Sequence, residues 1–256
     1  MSLKVVVAIA VLWSTACEAT IGGSATGGGG GTDASITPTP DGPGGTVTPD
    51  ASSDAPRCSA RVIYLNFEGV TLTRATPSDS TADRASWIGV TTATVPRYRT
   101  GAADRATQIQ AITTRITTAL SGIGVMVTTV RPLAGQYVMV VFGGTETTVG
   151  SQYSFATSFH DCGDLVKNDV AWVSDQVSSS KVGDFALGAI GWGLGLNGTN
   201  SPNDCMCGWS NTCDQLSTPC TLSPSITTTG ALSPETACPN LATQNEVGVF
   251  TTAFCQ

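Results

Sequence analysis

Apolar and polar positions recur with clear periods only from about residue 57 onward. Arg61-Val62-Ile63-Tyr64-Leu65-Asn66-Phe67 is a β-branched and aromatic run ended by Glu68-Gly69, the pattern of a buried strand. Between Ala103 and Leu120 the apolar residues Ile109, Ile112, Ile116 and Leu120 stand three and four apart, which predicts an amphipathic helix closed at Gly122. Val125, Val127 and Val130 before Pro132 suggest a second strand, Tyr137 to Phe142 before Gly143-Gly144 a third, and Val170 to Val173 a fourth. A Gly-rich apolar stretch, Lys181 to Leu196, reads as a buried helix. Thr243 and Glu246 have capping-box spacing, and Val247, Phe250 and Phe254 share the face of a last helix. The order is strand, helix, three strands, helix, cysteine-rich loop and helix. It predicts an α/β (α+β) domain over 57–256, built on one mixed sheet.

The first 56 residues carry a different pattern. Lys4, the apolar run Val5 to Trp13 and the small residues that follow read as an export signal over 1–16, since the run is far shorter than the roughly twenty residues that cross a bilayer. Ser14-Thr15-Ala16-Cys17 resembles a lipobox, which predicts acylation of Cys17 and a bacterial envelope lipoprotein. Cleavage after Ala16 or Ala19 would instead give a secreted chain. Residues 17–56 are rich in Gly, Pro, Thr and Asp and lack aromatics, so they are expected to form a flexible tether.

Composition narrows the chemistry. Twelve basic against nineteen acidic residues give a net charge of −7 with no basic cluster, which argues against nucleic-acid binding. The chain has one histidine, His160, and nine cysteines. With Cys17 set aside, Cys58, Cys162, Cys205, Cys207, Cys213, Cys220, Cys238 and Cys255 form an even set, expected to be four disulfides in an exported protein. The spacing of Cys205, Cys207, Cys213 and Cys220 is not a common zinc pattern, and pairing of Cys162 removes it as a thiol nucleophile beside His160. Asp164, Asp169 and Asp184 read as solvated loop or capping residues. The glycines Gly193, Gly195 and Gly198 match a dinucleotide spacing, but Asn197 to Asp204 reads as a loop where that motif needs a helix. No cofactor is expected.

The stretch from Phe185 to Thr199, followed by Asn203-Asp204-Cys205-Met206, resembles the active-site helix of the metzincin-type zinc metalloproteases, H-E-x-x-H-x-x-G-x-x-H followed by a Met-containing turn. Gly195 matches the glycine at which that helix breaks, and Met206 the methionine of the turn. The resemblance implies a mixed twisted sheet packed on two long helices. At the functional positions the residues differ: Gly188 stands for the first zinc His, Ala189 for the general-base Glu, Trp192 for the second His and Gly198 for the third. The expectation is a pseudoenzyme without catalytic or metal-binding residues, in which the Trp192 indole fills the ion's place. Recovery of activity is expected to need all four reversals.

Such a domain would act by binding. In that family the substrate lies extended along an edge strand above the active-site helix, a mode that needs no zinc. Gln152 to Phe159, with Tyr153, Phe155 and Phe159 alternating with smaller residues, is the candidate edge, and an extended peptide or protein is the implied partner. An active peptidase with a non-standard metal site and a cysteine-rich adhesive module are the competing readings.

Overall fold

The computed structural model describes residues 58–209, 213, 215–229, 238 and 242–255, with side chains from Arg61 onward. The expected signal 1–16, Cys17, the tether 17–56 and the Cys58 side chain lie outside the described residues. In chain order the elements are β1 (Cys58–Asn66), β2 (Val70–Arg74), β3 (Arg84–Ala85), β4 (Thr92–Val95), α1 (Arg105–Leu120), β5 (Val125–Thr128), β6 (Gln136–Phe142), α2 (Glu146–Val149), β7 (Ala156–Thr157), β8 (Val170–Val173), α3 (Val182–Gly193), β9 (Ile226–Thr227), β10 (Thr243–Gln244) and α4 (Glu246–Phe254).

The class is mixed α/β, but the single sheet expected from the sequence is one of three. The main sheet has five strands in the order β5-β1-β6-β8-β7. β1 runs parallel to β5 and β6, β6 parallel to β8, and β7 returns antiparallel along the outer edge of β8. A second sheet, β3-β2-β4, and the β9-β10 pair complete the set.

The main sheet is buried on both faces, which is why its strands read as near-continuous apolar runs. Ile63, Leu65, Val138, Val140, Phe142, Ala171 and Val173 pack on Ile112, Ile116 and Leu120 of α1, on Ala186, Leu187 and Ile190 of α3, and on Phe250 and Phe254 of α4. The alternate residues Val62, Tyr64, Tyr137, Met139, Val141, Val170 and Trp172 meet Leu72, Ala93 and Val95 of the second sheet. Each large side chain taken fully out of water here contributes about 1.5 to 3 kcal/mol.

Two local expectations change. β5 ends at Thr128, and Val130 is 75% exposed beyond it, so the run toward Pro132 is not all strand. α4 starts later than the Thr243/Glu246 spacing suggested: Thr243 belongs to β10, and Asn245 caps the helix by accepting the Gly248 N–H at 2.7 Å. Glu246 is therefore free to turn inward, where it is fully buried.

Three aspartates expected as solvated loop or capping residues are buried: Asp164, Asp169 and Asp184 are 7%, 2% and 0% exposed. Asp164 accepts two hydrogen bonds from one nitrogen of Arg61, at 2.7 and 2.8 Å, while the other donates to the Val166 carbonyl at 3.2 Å. Arg61 is itself buried in β1, so this pair pins the loop between β7 and β8 to the middle of the sheet. Lys167 also donates to Asp164 at 2.8 Å, so it is removal of Asp164 that would strand a buried charge, that of Arg61, at a cost of about 3 to 5 kcal/mol. Asp184, in the first turn of α3, accepts from Arg115 of α1 at 2.6 Å and ties the two helices together.

Candidate functional site

Helix α3 is apolar almost all round, so it sits in the interior with the sheet on one side and the cysteine-rich loop on another. Its glycines are the points at which neighbours press against it. A Cβ at Gly183 would come 2.7 Å from the Arg115 side chain, and one at Gly191 would come 2.7 Å from Met206 Sδ. A Cβ at Gly193 would overlap the Asp169 carboxylate, and one at Gly188 would overlap the Trp209 indole nitrogen. The helix thus gives up some propensity, about 1 kcal/mol per glycine, for close approach.

The helix stops at Gly193 and the chain turns through Gly195, whose φ of +84° is a left-handed value that glycine adopts without strain. The Gly195 N–H donates to the Trp192 carbonyl at 3.0 Å and the Leu196 N–H to the Gly191 carbonyl at 2.9 Å, the paired bonds of a Schellman ending. Beyond it, Asn197 is gripped by Gln244, which accepts its N–H and donates to its carbonyl, both at 2.8 Å. Gly198 is buried, and its carbonyl accepts from the Thr229 N–H and hydroxyl.

The loop then folds back beneath the helix. Asp204 Oδ1 accepts from the Met206 N–H at 2.9 Å and the Thr199 hydroxyl at 3.1 Å, and the Thr199 N–H donates to the Met206 carbonyl at 3.1 Å. Met206 is fully buried with its sulfur against Gly191. Disulfides Cys205–Cys220 and Cys207–Cys213 fasten this turn, and Cys162–Cys238 joins the loop after β7 to the segment before β10. Cys255 is also disulfide-bonded. The cysteines that could have formed a zinc cluster are instead bonded in pairs.

Aromatic rings gather at Gly188 and Trp192 of the helix. Trp209 lies against Gly188. Trp192, one helical turn on, stacks at 5.8 Å between centroids on Trp209 and at 3.9 Å on His160. His160 Nε2 is 3.1 Å from the Leu196 carbonyl oxygen; because a carbonyl only accepts, that nitrogen carries the hydrogen. Ala189 is fully buried and its carbonyl accepts the Ser158 hydroxyl at 2.8 Å. The sequence singled out Trp192 on this helix, but neither Trp209 nor His160 as the rings that stack on it. The one signal for Trp209 was a helix glycine a turn before Trp192, on the face where a second ring could pack.

Among the described residues, one group has the composition of a metal site: the ligand atoms of His160, Cys162 and Cys238 lie within 4.8 Å of one another. Its two sulfurs are bonded to each other, so neither is a thiolate, and the imidazole Nε2 carries a hydrogen that it donates to the Leu196 carbonyl.

Two carboxyl groups near the site hold their protons far above the ordinary range. Burial pushes Asp169, beneath Gly193, up to about 8. Burial, and then the neighbouring Asp204 carboxylate, push Glu246 up to about 8. Glu246 accepts from the Ser223 N–H at 2.9 Å and the Gln244 amide at 2.8 Å, so it links the turn to the start of α4.

The candidate edge is shorter than the sequence suggested. Only Ala156 and Thr157 form strand, and Ala156, Thr157 and Ser158 are buried. Tyr153, Phe155 and Phe159 are 51%, 49% and 42% exposed, and Phe155 packs at 5.7 Å on Phe185 of α3. The Ser174 N–H donates to the Phe155 carbonyl at 2.8 Å, so by the alternation of an antiparallel ladder Ala156 directs its N–H away from β8.

No model of a known protein family matches the chain, and no curated protein matches it.

Proposed function

We propose that the chain is an exported domain of metzincin type that has lost its zinc ligands and general base, and that it binds extended peptide along β7 without cutting it. The observation that carries this reading is the filling of the ligand position. Gly188 faces the Trp209 indole so closely that no side chain fits there, and Trp192 and His160 extend the same stack. The fold-type part is supported by the antiparallel edge strand ahead of α3, the left-handed break at Gly195 and the Met206 turn packed under Gly191. The binding part is supported by an outer sheet edge flanked by three exposed aromatic residues, since large apolar side chains in water mark contact surfaces. Export, with Cys17 as a lipid anchor, accords with the disulfides.

The test is a peptide array probed with the intact chain, alongside Ala156→Pro. The proline removes the N–H directed away from β8 and leaves the β7–β8 bonds in place. Binding of extended peptides, no cleavage by mass spectrometry, and at least tenfold weaker binding in Ala156→Pro are expected. Binding indifferent to the proline, or absent altogether, would leave the adhesive-module reading; cleavage would restore the peptidase reading.

A further inference from the structure

Three bridges have both ends described, and they differ in setting. Cys205 and Cys220 are 0% and 2% exposed, and Cys207 is 3% exposed with Cys213 half-buried. Cys162 is exposed to solvent, while its partner Cys238 is 8% exposed and lies with its sulfur 3.6 Å from His160 Nε2. This bridge therefore has a solvent-exposed residue at one end and a hydrogen-bond donor beside the other. His160 is held for that role by its stack on Trp192 and by the Leu196 carbonyl, which fixes the hydrogen on Nε2.

We propose that Cys162–Cys238 is a thiol-exchange site for a low-molecular-mass thiol. The incoming thiolate attacks Cys162 Sγ and forms a new S–S bond to it. The Cys162–Cys238 bond breaks, its electron pair goes to Cys238 Sγ, and that thiolate is received by the His160 Nε2–H. No other oxidant or reductant is needed: the incoming thiol is oxidised to the mixed disulfide and Cys238 is reduced. The direction of attack follows from access, because a nucleophile reaches Cys162 from water whereas Cys238 is covered. The leaving direction follows from the imidazole, since a thiolate accepts the Nε2–H more strongly than the neutral carbonyl does, and a stabilised thiolate is the better leaving group.

The test uses the full chain with reduced glutathione at neutral pH, quenched with acid, alkylated and mapped by mass spectrometry. Glutathione on Cys162 and an alkylated thiol on Cys238 are expected, appearing at least tenfold faster than thiols at Cys205, Cys207, Cys213 or Cys220. His160→Phe keeps a ring on Trp192 but has no donor, and should slow the exchange by about tenfold; His160→Gln, with an amide donor, should recover part of the rate. Glutathione found first on Cys238 or on a buried bridge, or equal rates for all three bridges, would overturn the assignment in the unmodified chain alone. An unchanged rate in folded His160→Phe would overturn the part given to the imidazole.

Discussion

Replacing Gly188 by alanine places one methyl group at the point where the helix meets Trp209. In a solvent-exposed helix this change would gain about 1 kcal/mol of propensity. Here the new Cβ overlaps the Trp209 indole nitrogen and comes within 2.7 Å of the Cys205 carbonyl oxygen, a backbone atom held by the Cys205–Cys220 bridge. The backbone has little room to yield, and the indole can move only by leaving its stack on Trp192. Overpacking of this kind costs about 1 to 3 kcal/mol, and with the propensity gain set against it a net loss of up to roughly 2 kcal/mol is expected. At about 2 to 4 °C per kcal/mol for a domain of this size, the Tm should fall by up to roughly 8 °C. Calorimetry and urea unfolding of Gly188→Ala, Trp209→Ala and the double variant give the coupling between the two sites, expected to exceed about 0.5 kcal/mol with the methyl tolerated better once the indole is gone. A higher Tm for Gly188→Ala, or a cycle that closes at zero, would refute the close approach and with it the observation on which the proposed loss of the zinc site rests. The same geometry revises the four-residue reversal: Gly188→His, Ala189→Glu, Trp192→His and Gly198→His together should take up no stoichiometric zinc unless Trp209 is also truncated. Elemental analysis of the two variants checks this.

Stability should fall as pH rises from about 4.5 to about 8, because Glu246 and Asp169 keep their protons in the folded chain up to about 8 and release them earlier when unfolded. The part due to Glu246 is roughly 3 kcal/mol between pH 5 and pH 8; urea midpoints across that range should flatten by about this amount in Glu246→Gln, and equal slopes in the two proteins would contradict the buried proton. Thiol titration of denatured exported protein should find no free sulfhydryl among the eight cysteines after Cys17, whereas two or more would mean that a bridge is absent. Cys17→Ser should move the protein from the membrane to the soluble fraction, and unchanged partition would exclude a lipid anchor at that residue.

The main sheet and the three long helices were legible because their residues obey one period each. Val62 to Leu65 and Tyr137 to Phe142 are unbroken apolar runs, and Ile109, Ile112 and Ile116 mark one helix face. The second sheet was not legible. β2 and β4 alternate Thr with Leu, Ala and Val, and β3 has two residues, so no window is apolar enough to stand out. The aspartates were misread for a related reason: a loop rich in Asp and Lys looks solvated until Arg61, more than a hundred positions earlier, is brought against Asp164. The Trp209 contact lay beyond sequence reasoning because it depends on how the cysteine-rich turn folds back, which the disulfide pairing sets and spacing alone does not reveal.

The position of β1 has a mechanical consequence. The chain enters the domain through this strand, and β1 is hydrogen-bonded to β5 on one side and β6 on the other, both parallel to it. If the domain is held at its amino end and pulled through a ligand on β7, tension runs along the axis of β1 and shears two rows of hydrogen bonds together. Detachment one bond at a time, as at a sheet edge, is not open to an interior strand. The buried Arg61 adds a third fastening at the point of entry, from β1 to the loop that follows β7. Single-molecule pulling from the amino end should therefore meet its highest rupture force at β1, and Arg61→Ala should lower it.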